Sequence, residues 1–446
     1  MNTNEPTKTP SNTGAITFAI TALVFLALGC LMLAMRPGFL LGETLTGHGQ
    51  AWIRLMIYGF GLPAVFGAVY WALPKAFGVP LYSPQTVFLH YGFHLAGLVV
   101  VMLLPFVPEL PQASMGATFL ACGGVVFVFN VALSLRRMER PDAASAFLST
   151  LMVWVVLALF LGVPFASEPP LPLLAGTNWS AGWLVFAIAG IFFNAQLGLA
   201  LRVTPLAVGA KSERTPAAWY ALAILNLGVA WMVAAATFGT PAFLLLCTAI
   251  FLVGSLIYLA DFWAILQRRH GSTALGWDVK ILLTAVWMIP AAALVLMYAV
   301  WHHMLVAVPE VAADAATAVA APVIEGPAPI MVMPLDWTTG LVGLLAAAVP
   351  GLIAVIFQLQ KLQLPDRADD SPRERVAGQL LLAAFFNYAV GAGLVVVGAW
   401  GSEDQMLGLG AVFLVVGSLG FLGCFLHNLG RSGAAESAAD QAMKTA

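Results

Sequence analysis

Imidazole is the side chain most often used to bind metals in proteins, and this chain carries seven histidines in 446 residues. His90 and His94 are four residues apart, so on a helix they share one face and could chelate a metal. His302 and His303 are adjacent, between Trp301 and Met304, at the end of a long apolar stretch. His48 opens another such stretch, in Thr46-Gly47-His48-Gly49-Gln50. Six residues further in stands Arg54, about 9 Å along a helix at 1.5 Å per residue. A guanidinium at that depth is costly and faces protein or a cavity; Asp336 and Glu43 are its candidate carboxylate partners. Asp261 is a second charge within an apolar stretch, with Arg202 or Arg268 as candidate partners. His270 and His427 fall at basic ends, where no further role is needed. The chain has no phosphate-binding glycine loop, no nucleophile motif and no C-x-x-C-H haem-attachment site. Its four cysteines, Cys30, Cys122, Cys247 and Cys424, sit inside apolar stretches without metal-site spacing and read as small packing residues.

The elements that must position these residues are membrane helices. Hydrophobic residues make up 61% of the chain and charged residues 9%, against roughly 25% charged in soluble domains. Stretches of about 20 apolar residues cross a bilayer, and without water each must satisfy its own backbone as a helix. Twelve such spans are expected, at 15–35, 48–74, 85–107, 114–136, 145–166, 180–204, 216–238, 242–267, 278–301, 337–361, 376–399 and 405–429. Residues 304–335 read as an outer loop and 432–446 as a cytoplasmic tail. With the N-terminus inside, all but two of the 19 Lys and Arg fall at cytoplasmic ends or tails. The exceptions are Arg36 and Arg54. Acids such as Glu109, Glu168 and Glu310 fall outside. This bias puts both termini in the cytoplasm of a bacterial-type inner membrane. The net charge of -2 is sorted by side and gives no indication of a nucleic-acid partner; the lipid bilayer is the expected one.

The spans repeat in fours, over about 15–140, 145–270 and 278–431, within one membrane domain. The second, sixth and tenth run into Pro74, Pro205 and Pro365. The sixth and tenth open alike, in Asn178-Trp179-Ser180 and Asp336-Trp337-Thr338. The spans that follow share His94-Leu95-Ala96-Gly97, Asn226-Leu227-Gly228 and Asn387-Tyr388-Ala389-Val390-Gly391, a pattern that suggests a recurring polar contact between helices. The expected fold class is therefore all-α: a polytopic membrane protein of twelve transmembrane helices in three four-helix arcs.

The second span carries a resemblance. His48-Gly49, Gly61-Leu62-Pro63, Gly67 and Tyr70-Trp71-Ala72-Leu73-Pro74 resemble the second helix of the haem-copper oxidase subunit I superfamily. Pro80-Leu81-Tyr82-Ser83-Pro84 and Phe88-Leu89-His90-Tyr91 are similar to the next loop and helix of its C-family (cbb-type) catalytic subunit. The motif resemblance covers roughly 45–140, and the family's fold is likewise twelve helices in three arcs. It implies that His48 is an axial ligand of a low-spin haem, with Arg54 placed to pair with a propionate. Trp301-His302-His303-Met304 resembles the family's copper-ligand segment, although it closes the ninth span and the family's closes the seventh. His302 or His303 would then serve as a replacement metal or haem ligand. The chain departs from the family where the sixth and tenth helices should open with histidines, since neither does. A binuclear site of copper and high-spin haem is therefore not expected, nor oxygen reduction by this chain alone. The resemblance implies a degenerate subunit I that binds one haem beside a cytochrome or other respiratory subunit, in electron transfer or assembly. The other reading is a metal-free structural or transport protein that kept the fold.

Overall fold

A computed structural model of the protein describes residues 13–38, 47–103, 113–162, 179–210, 215–238, 241–268, 275–317, 335–362, 372–401 and 403–445. They form twelve helices. These are α1 (Thr13–Met35), α2 (Gly47–Arg54, Leu55–Gly61 and Leu62–Lys75 in one run), α3 (Pro84–Leu103), α4 (Ala113–Leu135), α5 (Ala143–Gly162) and α6 (Trp179–Val185, Phe186–Phe193 and Asn194–Ala207 in one run). They continue with α7 (Pro216–Phe238), α8 (Pro241–Gln267), α9 (Trp277–Thr317), α10 (Leu335–Lys361), α11 (Pro372–Gly401) and α12 (Asp404–Thr445). Each begins within four residues of its expected start. Among the described residues eleven helices are long and apolar enough to cross a membrane, and α5 contributes a shorter apolar helix, Ala143–Ala158. The chain is an all-α, polytopic membrane protein.

Two helices run beyond their apolar stretches. α9 continues past Met304 to Thr317, so part of the segment expected as an outer loop is helical. α12 likewise continues through the expected tail to Thr445. Both extensions are rich in alanine, including Ala312, Ala313, Ala315 and Ala316 in α9 and Ala434, Ala435, Ala438 and Ala439 in α12. Alanine has the highest helix propensity, so the helix persists after the apolar run ends. Residues 318–334 lie outside the described part.

Burial separates the helices into two classes. In α2, α6 and α10, 89%, 100% and 100% of the spanning window is buried, whereas no other span exceeds 50%. These three touch one another. The other nine surround them, each touching the next: α1 to α3, α4, α5, α7, α8, α9, α11 and α12, with α12 returning to α1. The central helices are the second, sixth and tenth in chain order.

Glycine brings the third and fourth helix of each repeat together. A Cβ on Gly97 (α3) would meet the Gly116 backbone of α4 at 2.8 Å, and one on Gly228 (α7) would meet the Phe251 backbone of α8 at 2.9 Å. One on Gly391 (α11) would meet the Gly410 backbone of α12 at 2.7 Å. Small residues at such contacts let helices pack closely where lipid supplies no hydrophobic drive. The glycine of the recurring His/Asn-to-Gly motif is thus a packing residue in all three repeats.

Two of the inner helices, α2 and α6, also end alike. Four residues after Pro74 and Pro205 stand Gly78 and Gly209, with φ of 68° and 64°. A left-handed glycine at this position stops a helix and turns the chain. At the same end Arg202 of α6 donates from Nε to the Ala76 carbonyl at 2.9 Å and pairs through Nη1 with Asp142 Oδ2 at 3.1 Å. Asp142 also caps α5: Ser145 N–H donates to its Oδ1 at 2.8 Å, and its own N–H donates to Ser145 Oγ at 2.9 Å. That reciprocal pair satisfies amides that the helix start leaves open.

Candidate functional site

The candidate site is α2, whose two polar edges face different neighbours. Trp52 and Met56 follow His48 at helical spacing, so one face carries all three. The side chain of His48 lies outside the described residues, as do those of His302, His303, Glu43 and Asp336. All of His270 does too. Trp52 is buried and donates from Nε1 to the Gly29 carbonyl of α1 at 3.0 Å. Met56 packs on the same glycine, its Sδ lying 2.7 Å from where a Cβ would stand. Between α1, α2, α10 and α11 these side chains leave a cavity of about 30 Å³, lined by Cys30, Trp52, Met56, Ala346 and Tyr388 among others. Ligand and cofactor pockets are about 300 Å³ or more. Indole and thioether thus occupy the space beside this face of α2, below the position of His48. Among the described residues no group of three or more His, Cys, Asp or Glu is placed to hold a metal ion.

The second edge carries Gln50, Arg54 and Tyr58. Arg54 is 4% exposed. Its Nη2 donates to Gln50 Oε1, one turn back, at 3.1 Å. Among the described residues no carboxylate pairs with it. The Tyr58 ring lies 5.5 Å from that of Trp183, so this edge faces α6.

Directly after Arg54 the helix changes register. Leu55–Gly61 is a π-helical turn, closed by the Leu62 amide on the Ile57 carbonyl five residues back. In that register the next donor, for the Tyr58 carbonyl, would come from position 63. That residue is Pro63, which has no N–H. The carbonyl is left open deep in the protein, and His94 of α3 closes it, Nε2–H donating at 2.9 Å.

His90, one turn before His94, pairs through Nδ1 with the Tyr70 hydroxyl of α2 at 3.0 Å. Both imidazoles are buried. They sit in an aromatic cage of Phe18, Phe66 and Phe127. One nitrogen of each ring is committed to α2, and the rings stand nearly perpendicular with centroids 6.2 Å apart. The pair joins α3 to α2.

The second repeat solves the same problem with amides. α6 has its own π-helical turn, Phe186–Phe193, and Phe186 precedes Pro205 by as many residues as Leu55 precedes Pro74. Asn194 Nδ2 donates back to the Gly190 carbonyl at 2.8 Å. Asn226 of α7, the counterpart of His94, donates to Asn194 Oδ1 at 3.0 Å and accepts from Trp154 Nε1 at 2.7 Å. The expected recurring polar contact is therefore present in two repeats. In the third, Asn387 Nδ2 donates to the Ala383 carbonyl of its own helix at 2.8 Å. Aligned on the terminal prolines, Pro350 of α10 falls within the window that is π-helical in α2 and α6. α2 and α6 thus leave α-regularity at one level, where α10 stays α-helical and carries its interior proline. π-Helical turns occur mostly as single insertions, often at functional positions. Gly61 in the first packs directly on Phe192 in the second.

Sequence reasoning did not anticipate the π-helical turns, Tyr70 or Asn194. Gly59-Phe60-Gly61-Leu62-Pro63 was the available signal, since an interior proline always leaves a carbonyl to be satisfied elsewhere. Asp261 accepts from Thr215 Oγ1 at 2.8 Å; of its two expected arginines, Arg268 acts on its carboxylate through charge, while Arg202 is held by Asp142. A comparison of the chain with protein-family models and with curated proteins finds no match.

Proposed function

We propose that the chain is a metal-free membrane protein with a structural or transport role, built on a haem-copper oxidase-like frame. In this reading twelve transmembrane helices form three four-helix arcs, one inner helix to each, with both termini cytoplasmic. The observation that carries it is the packing against α2: Trp52 and Met56 close the His48 face down to about 30 Å³. The three buried inner helices, the shared proline-to-glycine endings and the glycine-packed pairs support the arcs. The commitment of His90 and His94 to α2 supports a structural role for the best-placed imidazoles. Neither electron transfer nor oxygen reduction is part of this reading.

The absorption spectrum of protein purified from haem-replete cells tests it. The expected result is no Soret band. A stoichiometric Soret band that is lost or shifted in His48→Ala, and kept in His90→Ala, would overturn the proposal in favour of a haem-bearing subunit.

A further inference from the structure

The three inner helices are copies of one element, so they serve as internal controls for one another. Aligning them on Pro74, Pro205 and Pro365 puts Val185 of α6 and Leu345 of α10 level with Arg54. Both are buried and apolar. Gln50 is matched by Ala181 and Leu341, and Tyr58 by Ala189 and Val349. At the position of Arg54 the fold therefore closes twice on a buried aliphatic side chain, Val185 and Leu345. The polar edge of α2 is an addition to the first repeat, and packing does not require it.

Burying such an edge is costly unless the charge finds a partner. A guanidinium has five N–H donors and a fixed positive charge. At 4% exposure the Arg54 side chain is almost entirely covered by protein. Within the described residues it has one neutral acceptor, Gln50 Oε1, and no carboxylate. A buried cation without a counter-charge is strongly disfavoured. Its head is also fixed in place, since Gln50 holds one edge and the π-helical turn begins at the next residue. A preorganised, desolvated guanidinium binds a small anion through short charge-assisted hydrogen bonds.

We propose that Arg54, with Gln50 and Tyr58, forms a binding site for a small monovalent anion between the outer halves of α2 and α6. The ligand class is a monoanion small enough to reach a guanidinium between packed helices. Short carboxylates and inorganic monoanions share that chemistry. The site does not depend on the metal-free reading, because it lies on the opposite edge of α2 from the His48 face.

Thermal melting of the purified full chain in detergent tests the proposal, at fixed ionic strength, with gluconate replaced stepwise by formate, acetate, chloride or nitrate. Wild type should melt higher with at least one of these anions, by a few degrees and saturably. Formate and acetate against chloride and nitrate separate the two sources. Arg54→Leu, which restores the residue found in α10, should lose the response and melt at or above wild type in gluconate. Arg54→Lys should keep a weakened response. No anion-specific shift in wild type, or the same shift in Arg54→Leu, overturns the site. So does marked destabilisation of Arg54→Leu in gluconate that Asp336→Asn or Glu43→Gln reproduces, because Arg54 would then have an internal counter-ion. Absorbance recorded on the same samples reports haem separately, so the site and the metal-free reading fail independently.

Discussion

If His94 exists to satisfy the Tyr58 carbonyl, its value depends on Pro63. His94→Leu keeps an apolar side chain of similar length and removes the donor at 2.9 Å. The carbonyl is then buried without a partner, since the Leu62 amide already serves Ile57 and Pro63 has no amide. An unsatisfied buried acceptor costs about 1–3 kcal/mol, which is roughly a 5- to 150-fold fall in the folded-to-unfolded ratio. Pro63→Ala supplies an N–H at the position five residues on, in register for Tyr58. In that background His94→Leu should cost about 0.5 kcal/mol or less, below the typical net value of one hydrogen bond. The coupling between the two sites should therefore be about 1–2 kcal/mol, within the range for groups that share one interaction. Urea or SDS unfolding in mixed micelles, followed by tryptophan fluorescence, would measure all four proteins. Equal costs of His94→Leu with and without Pro63 would refute the argument and leave His94 with a role other than closing the π-helical turn.

Two further changes probe the inner helices and the Arg202–Asp142 clasp at their ends. Gly61→Leu forces a side chain into Phe192 where α2 meets α6; overpacking of this kind costs about 1–3 kcal/mol, and the same unfolding measurement should show it, while Gly92→Leu, with open space around it, should be near neutral. Asp142→Ala removes both the α5 cap and the partner of Arg202, so it should cost about 1–2 kcal/mol, whereas Arg202→Gln, which leaves the cap intact, should cost about 1 kcal/mol or less by the ion pair alone; equal losses in a double-mutant cycle would show that the cap contributes nothing.

The sequence by itself determined the helices. In a bilayer a long apolar run has no stable alternative to satisfying its own amides, so twelve runs gave twelve helices with starts close to those expected. It also marked Pro74, Pro205 and the His/Asn-to-Gly motif, which fall at helix endings and at close helix contacts. The two alanine-rich extensions were the exception, where helix propensity outlasted hydrophobicity. What only the tertiary structure decided is which way each face points. Lipid tails are as apolar as leucine, so a face that packs on protein and a face that meets lipid look alike in sequence. Nothing in the letters distinguished the buried α2, α6 and α10 from their nine neighbours. For the same reason the sequence singled out Arg54 and His94 without their partners. The π-helical turn at Leu55–Gly61 fixes those partners: it sets the register of everything below it and opens the Tyr58 carbonyl that His94 closes. Trp52 is the same lesson at the His48 face. As a residue type it reads as ordinary helix filling, and only the structure shows its hydrogen bond to Gly29 and its place beside the small apolar void between α1 and α2.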